Sequence, residues 1–186
     1  IPDEFFKIKK TEKTENKMLF LGRISPIKSM ETVISAIPLL NDQKTIFEVV
    51  GPAEENYILK LKGLIKRLKL EKRVVFSKPI YNLKEKIKKI DSAKLVVLPS
   101  ISEGMPQSLI EAMARKRIVI ASDIPASRDL IINGKNGFLF KVRNEKEFAK
   151  IVNNEKNENK VGKEAEKSVE QFGWVKVITQ IEKLFA

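Results

Sequence analysis

Short apolar runs alternate along most of this chain with stretches whose hydrophobic residues recur at helical spacing. KMLFLGR (17–23) predicts a strand, and SMETVISAIPLL (29–40) carries its apolar residues near the helical period. TIFEVVG (45–51) predicts a strand ending at Gly51. ENYILKLKGLIKRLKL (55–70) predicts a helix with Ile58, Leu61, Leu64, Ile65 and Leu68 on one face. RVVFS (73–77), AKLVVLPS (93–100), RIVIAS (117–122) and GFLFK (137–141) read as strands. LKEKIKKI (83–90), SLIEAMARK (108–116) and SRDLII (127–132) read as the helices between them. EKEFAKIVNN (145–154) and EKSVEQFGWVKVITQIEKLF (166–185) close the chain as helices, on either side of a charged segment over 153–160 that reads as mobile.

Continuous β-branched strands separated by helices imply strands buried on both faces. The expected fold is α/β, a Rossmann-like doubly wound parallel sheet of about six strands with helices on both faces. In such sheets ligands sit beyond the carboxyl ends of the strands, which singles out residues 22–28, 51–55, 77–81, 99–108 and 122–127. Residues 1–16 are polar, charged and without period, and are expected to form a linker or leading edge, with residues 17–186 as the domain.

Composition narrows the chemistry. With 186 residues, 42% of them hydrophobic, the chain suffices for one buried core. No apolar run reaches the roughly 18–20 residues of a membrane span, so the chain is read as soluble. His and Cys are absent, which removes imidazole bases, thiol nucleophiles and most zinc sites. A net charge of +12 attracts anions: phosphates, nucleic acid or an acidic membrane leaflet.

Two loops carry candidate chemistry. In GRISPIK, Gly22 ends a strand and Arg23 and Lys28 flank a Ser-Pro turn before a helix, a combination suited to a diphosphate; solvated surface cations are the plain alternative. No Walker loop and no Gly-x-Gly-x-x-Gly fingerprint occurs. In SEGMPQSLIEAMA, Ser108 and Glu111 have capping-box spacing, which alone would explain Glu111 but not Glu103 in the preceding loop. If the amides of Gln107 and Ser108 start the helix, an anion can rest there while carboxylates accept from sugar hydroxyls. Together these groups suit a nucleoside diphosphate sugar.

In order along the chain, LGRISPIKSMETVISAIPLL, FEVVGP, RVVFSKPI, VVLPSISEGMPQSLIEAMA, IVIASDIPASRDLIINGKNGFLF and FGWVKVITQIEKLF resemble the C-terminal half of retaining GT-B glycosyltransferases of group 1, relatives of glycogen synthase and bacterial mannosyltransferases. The resemblance implies a hexosyl transfer with retention of configuration from a UDP-, GDP- or ADP-linked sugar to a glycan, lipid-linked or other acceptor. It implies that Arg23 and Lys28 hold the leaving diphosphate, that Glu111 accepts from the nucleotide ribose, and that Glu103 lies beside the donor sugar. It also implies that Gly22 and the run Gly104, Met105, Pro106, Gln107 and Ser108 contact the donor, and that the loop around Ser77 to Tyr81, with Ser77 and Lys78, sits near the base. No cofactor or metal is implied, and the chain has no Asp-x-Asp motif.

In the family a preceding N-terminal domain supplies the acceptor site, so the fragment alone is expected to be inactive. The last helix, 174–185, would return toward that domain, although core packing is the simpler expectation for Trp174. Several positions depart from the family pattern: Ser29 and Lys78 replace usual glycines, Lys116, Arg117 and Ile118 stand where Gly-x-Pro is usual, and Lys94 stands where Asp is common. The competing reading is a basic Rossmann-like module that binds anionic membrane or nucleic acid without catalysis. Nucleic acid is disfavoured by the lack of interleaved aromatics; lysine-rich helices leave peripheral contact with the inner membrane face open, in a cytoplasmic setting.

Overall fold

The computed structural model describes residues 1–11, 14–154 and 158–184. The elements follow in chain order as α1 (Glu4–Lys7), β1 (Glu15–Leu21), α2 (Met30–Ala36), β2 (Ile46–Val50), α3 (Glu55–Arg67), β3 (Val74–Ser77), α4 (Leu83–Ser92), β4 (Ala93–Leu98), α5 (Gln107–Ala114), β5 (Ile118–Ser122), α6 (Pro125–Arg128), β6 (Phe138–Phe140), α7 (Glu145–Asn154), α8 (Glu158–Val169) and α9 (Trp174–Leu184). The six strands form one parallel sheet in the order β3-β2-β1-β4-β5-β6. Helices α2, α3 and α7 pack together on one face, and α1, α4, α5 and α8 on the other.

The strands form because their residues are apolar without alternation and find cover on both sides. Met18, Leu19 and Phe20 of β1 and Leu95 to Leu98 of β4 are all buried. The chain winds outward from β1 to β3, crosses through α4, and winds the other way from β4 to β6. The strand order therefore reverses between β1 and β4, and the loops leaving those two strands diverge to either side of a crevice.

Three local expectations change. The opening segment is not a loose leader: Phe5 is fully buried, and the Arg115 guanidinium donates to the carbonyls of Phe5 and Ile8 at 3.0 and 2.8 Å. A single helical turn carries too few residues to show a period. The short helix expected over 127–132 starts earlier, with Pro125 in its first turn, where a missing N–H costs nothing. The closing helix is two helices, because residues Glu170–Phe172 form a 3-10 turn and Gly173 is extended.

The segment expected to be mobile is divided: Asn153 and Asn154 end α7, residues 158–160 begin α8, and 155–157 lie outside the described residues. Trp174 is not core. It is 59% exposed, and with Val175, Ile178, Ile181 and Leu184 it gives α9 an exposed apolar face. Among the described residues no helix is long and apolar enough to cross a membrane.

Candidate functional site

At the carboxyl end of β1, Gly22 has φ 154° and Gly51, at the end of β2, φ 150°. A Cβ on Gly51 would lie 1.9 Å from the Gly22 carbonyl oxygen, so the two backbones can abut only without a side chain there. Pairing then continues past the strands: the Gly22 amide donates to the Val50 carbonyl at 3.0 Å and the Ile24 amide to that of Pro52 at 2.8 Å. This stiffened corner carries Arg23, which is exposed and has no ion-pair partner among the described residues.

Across the crevice, the Ile101 amide donates to the Ile27 carbonyl at 2.8 Å, tying the loop after β4 to the turn Pro26–Lys28. That bond brings Lys28 to Glu103. Lys28 Nζ donates to Glu103 Oε1 at 2.5 Å, and the buried Ser100 hydroxyl donates to the same oxygen at 2.6 Å. Helix α5 starts at Gln107, after Pro106. The Gln107 amide is already spent on the Met105 carbonyl at 2.9 Å, so of the two expected helix-start amides the Ser108 N–H is the one left for an anion.

Glu111 does not form the expected capping box with Ser108. Its Oε1 accepts from Lys86 Nζ on α4 at 2.6 Å, and α5 has no side-chain cap. Buried among Leu109, Ile110, Ala112 and Met113, the carboxylate gains more from a full charge opposite it than from reaching back to an amide. Burial pushes the Glu111 carboxyl above its ordinary range, and the Lys86 hydrogen bond and charge pull it only part of the way back.

These groups line one cleft of about 300 Å³. Of the residues singled out in the sequence, Gly22, Arg23, Glu103, Met105, Pro106, Gln107, Ser108 and Glu111 line it, and Lys28 joins them through Glu103. Gly104 is exposed and is not part of the lining. Ser77 and Lys78 are outside it. The Ser77 hydroxyl turns inward to Glu48 Oε1 at 2.6 Å, and the rest of the same expected loop, Pro79, Ile80 and Tyr81, makes the cleft wall. Glu48 also binds Lys17 and Lys89 at 2.9 and 2.8 Å.

Lys86 is the site residue the sequence reading missed. Its signal was present, because Leu83, Lys86, Ile87 and Ile90 fall on one helical stripe, and a lysine there faces inward. The helix is set in place by Asn82, whose side chain accepts from the Glu85 amide at 3.1 Å. A separate cavity of about 170 Å³ lies at the opposite, amino end of the sheet among Asn16, Asp42, Lys94 and Asn153. Among the described residues no group of three or more acidic side chains converges as a metal site would require.

The model of the family described as glycosyl transferases group 1 matches residues 2–170. The chain belongs to that family. An uncharacterised glycosyltransferase of Methanocaldococcus jannaschii, MJ1069, is 28% identical over 197 residues, spanning 96% of this chain and 47% of its own length. A poly(ribitol-phosphate) alpha-N-acetylglucosaminyltransferase of Staphylococcus aureus is 31% identical over 92% of this chain and 36% of its own. Among solved group 1-like folds, Anabaena Alr3699/HepE in complex with UDP and glucose superposes with a TM-score of 0.85 at 24% identity, over 92% of this chain and 48% of that one. The fold is thus that of a GT-B glycosyltransferase C-terminal domain. The chain spans about half the length of curated relatives such as the two Methanocaldococcus jannaschii glycosyltransferases.

Two departures from the group 1 pattern now have a geometry. Ser29 has φ 47° and Lys116 φ 59°, both left-handed, so the backbone keeps the conformation that glycine serves best at those positions. Ser29 is fully buried with its hydroxyl 2.9 Å from that of Thr32. Lys116 closes α5 in a Schellman cap, its amide donating to Met113 and that of Arg117 to Ala112. Lys78 has no positive φ and its side chain is exposed, so nothing in the backbone there demands glycine.

Proposed function

We propose that this chain is the donor-binding half of a retaining, metal-independent hexosyltransferase that uses a nucleoside diphosphate sugar. The observation that carries the reading is the pairing of opposite chemistries across the β1/β4 crevice. Two cations, Arg23 and Lys28, lie where a diphosphate would sit, and two carboxylates, Glu103 and Glu111, lie where hydroxyls would. Glu111 accepts from the ribose and Glu103 from the sugar. Lys28 neutralises Glu103; a bound diphosphate would compete for that ammonium and leave Glu103 free for a sugar hydroxyl.

In the transfer step the bond from the anomeric carbon to the diphosphate oxygen breaks and charge grows on that oxygen. Arg23, Lys28 and the Ser108 amide stabilise it there, in the role a metal ion would otherwise serve. A solved relative of this fold holds UDP and glucose, which supports a nucleotide-sugar donor here. The acceptor, a glycan or lipid-linked molecule, would be held by a preceding domain. The exposed apolar face of α9 and the half-length match to the relatives both support such a domain, and this half alone is expected to turn nothing over.

The test is calorimetric titration with UDP-glucose, GDP-mannose, UDP-N-acetylglucosamine and ADP-glucose. One donor is expected to bind saturably, and Glu111→Ala and Arg23→Ala each to weaken it roughly tenfold or more while leaving the circular dichroism unchanged. Unchanged affinity in both variants would sink the site assignment.

A further inference from the structure

The donor reading uses Glu111 as an acceptor and gives Lys86 no task, yet the two are bonded at 2.6 Å on the cleft wall. Glu111 is 5% exposed, and Oε2, its second oxygen, accepts nothing among the described residues. A carboxylate in such surroundings without a partner takes up a proton, and then offers a hydroxyl donor where a diol needs an acceptor.

Among the described residues no other group around Glu111 holds its charge. Arg23, from the end of β1, is exposed across the cleft. Glu103 has the same sign, and its lysine, Lys28, is already bonded to it. The Ile1 amino group exerts a weaker pull and donates to the Phe172 carbonyl. Tyr81, from the loop before α4, is 88% exposed. On the packed sides of α5, α1 presents Phe5, α8 presents Glu166 bonded to Lys10 and Lys116, and β4 and β5 present apolar residues.

We propose that Lys86 is a positioning residue of the donor site: it keeps Glu111 a carboxylate with Oε2 open, so that a vicinal diol such as a nucleotide ribose is accepted throughout the neutral pH range. The proposal rests on the donor reading above. Its geometry is built in, since α4 is capped by Asn82 and the ammonium lies 6.0 Å from the Phe5 ring centroid, on a stem that packs inward.

The pair is read first without nucleotide, by following the Glu111 side-chain carboxyl carbon by NMR through pH in the chain, in Lys86→Met and in Lys86→Arg. Lys86→Met is expected to raise the titration midpoint by about one pH unit or more, and Lys86→Arg to keep it near wild type. Equal midpoints in all three overturn the proposal.

Affinity is then measured from about pH 6 to about pH 8. The probes are whichever of the diphosphates of uridine, guanosine and adenosine the wild-type chain binds most tightly, and its 2′,3′-dideoxy counterpart, which lacks the diol but titrates alike at the phosphates. The ratio of the two affinities is expected to change less than about twofold in wild type and in Lys86→Arg, and to fall roughly tenfold in Lys86→Met as pH is lowered. A flat ratio in Lys86→Met overturns the role of Lys86 and leaves the donor reading standing. A wild-type ratio near one at every pH, or no binding of any of the three diphosphates, overturns both.

Discussion

Replacing Arg115 by methionine should be among the most damaging single changes available in this domain, although the residue lies away from the cleft. Arg115 is fully buried, and Asp91, its partner, is 2% exposed. The pair is bidentate, with Nε and Nη2 donating to the two carboxylate oxygens at 2.8 and 2.5 Å. The guanidinium also caps the carbonyls of Phe5, Ile8 and Lys9, so it joins the opening segment to the end of α4 and α5 at once. Methionine fills a comparable volume, so the loss is electrostatic. Asp91 would be left in the interior without its counter-charge, with the Thr11 amide, 3.2 Å away, as the remaining donor to its carboxyl group among the described residues. Breaking a buried pair in this way costs about 3–5 kcal/mol, against a total of about 5–15 kcal/mol for a domain.

The assay is urea unfolding of wild type, Arg115→Met, Asp91→Leu and the double variant, with trypsin cleavage in the opening segment as a second readout. The double variant should be more stable than Arg115→Met, because an apolar pair leaves no buried charge, and the coupling should exceed about 1.5 kcal/mol. A single-variant cost under about 1 kcal/mol with no coupling would refute the reasoning.

Three further outcomes follow from particular contacts. Lys116→Gly should stabilise by about 1 kcal/mol in urea unfolding, since it relieves a left-handed lysine and forfeits only a partly exposed ion pair with Glu166; a loss of stability would contradict this. Gly51→Ala should cost about 2 kcal/mol or more and weaken nucleotide binding, because the new methyl meets the Gly22 carbonyl; a thermal midpoint equal to wild type would count against the corner's role. Burial alone would raise the Glu48 carboxyl, but hydrogen bonds from Lys89, Ser77 and Lys17 hold it at about 2. A folded value below the unfolded one, about 4.3, means stability that is full above that pH and is lost as pH falls toward 2, up to about 3 kcal/mol. Wild type should therefore lose more urea stability than Glu48→Gln between about pH 6 and about pH 2.5, and equal losses would refute the assignment.

The sheet was legible because its strands are apolar on both faces, a pattern that only a covered parallel sheet explains. The reversal between β1 and β4 follows from strand order, which no local pattern records, yet the loops that flank it were found because each leaves the carboxyl end of an apolar run. What stayed hidden was set by partners distant in sequence. Phe5 looked like part of a polar leader until Arg115, 110 residues away, bonded its carbonyl. Ser108 and Glu111 had every local sign of a capping box, and a lysine 25 residues upstream took the carboxylate instead. In the second case a buried full charge outweighed a local neutral hydrogen bond.

The same comparison bears on the replaced glycines. Ser29 and Lys116 both hold left-handed angles, φ 47° and 59°, a conformation that glycine adopts without strain. Their cost is carried by stability and leaves the crevice in place, with Lys28 beside Ser29 still on Glu103 and the last turn of α5 still closed behind Glu111. Beyond them the cleft wall is formed by side chains, those of Pro79, Ile80, Tyr81 and Lys86.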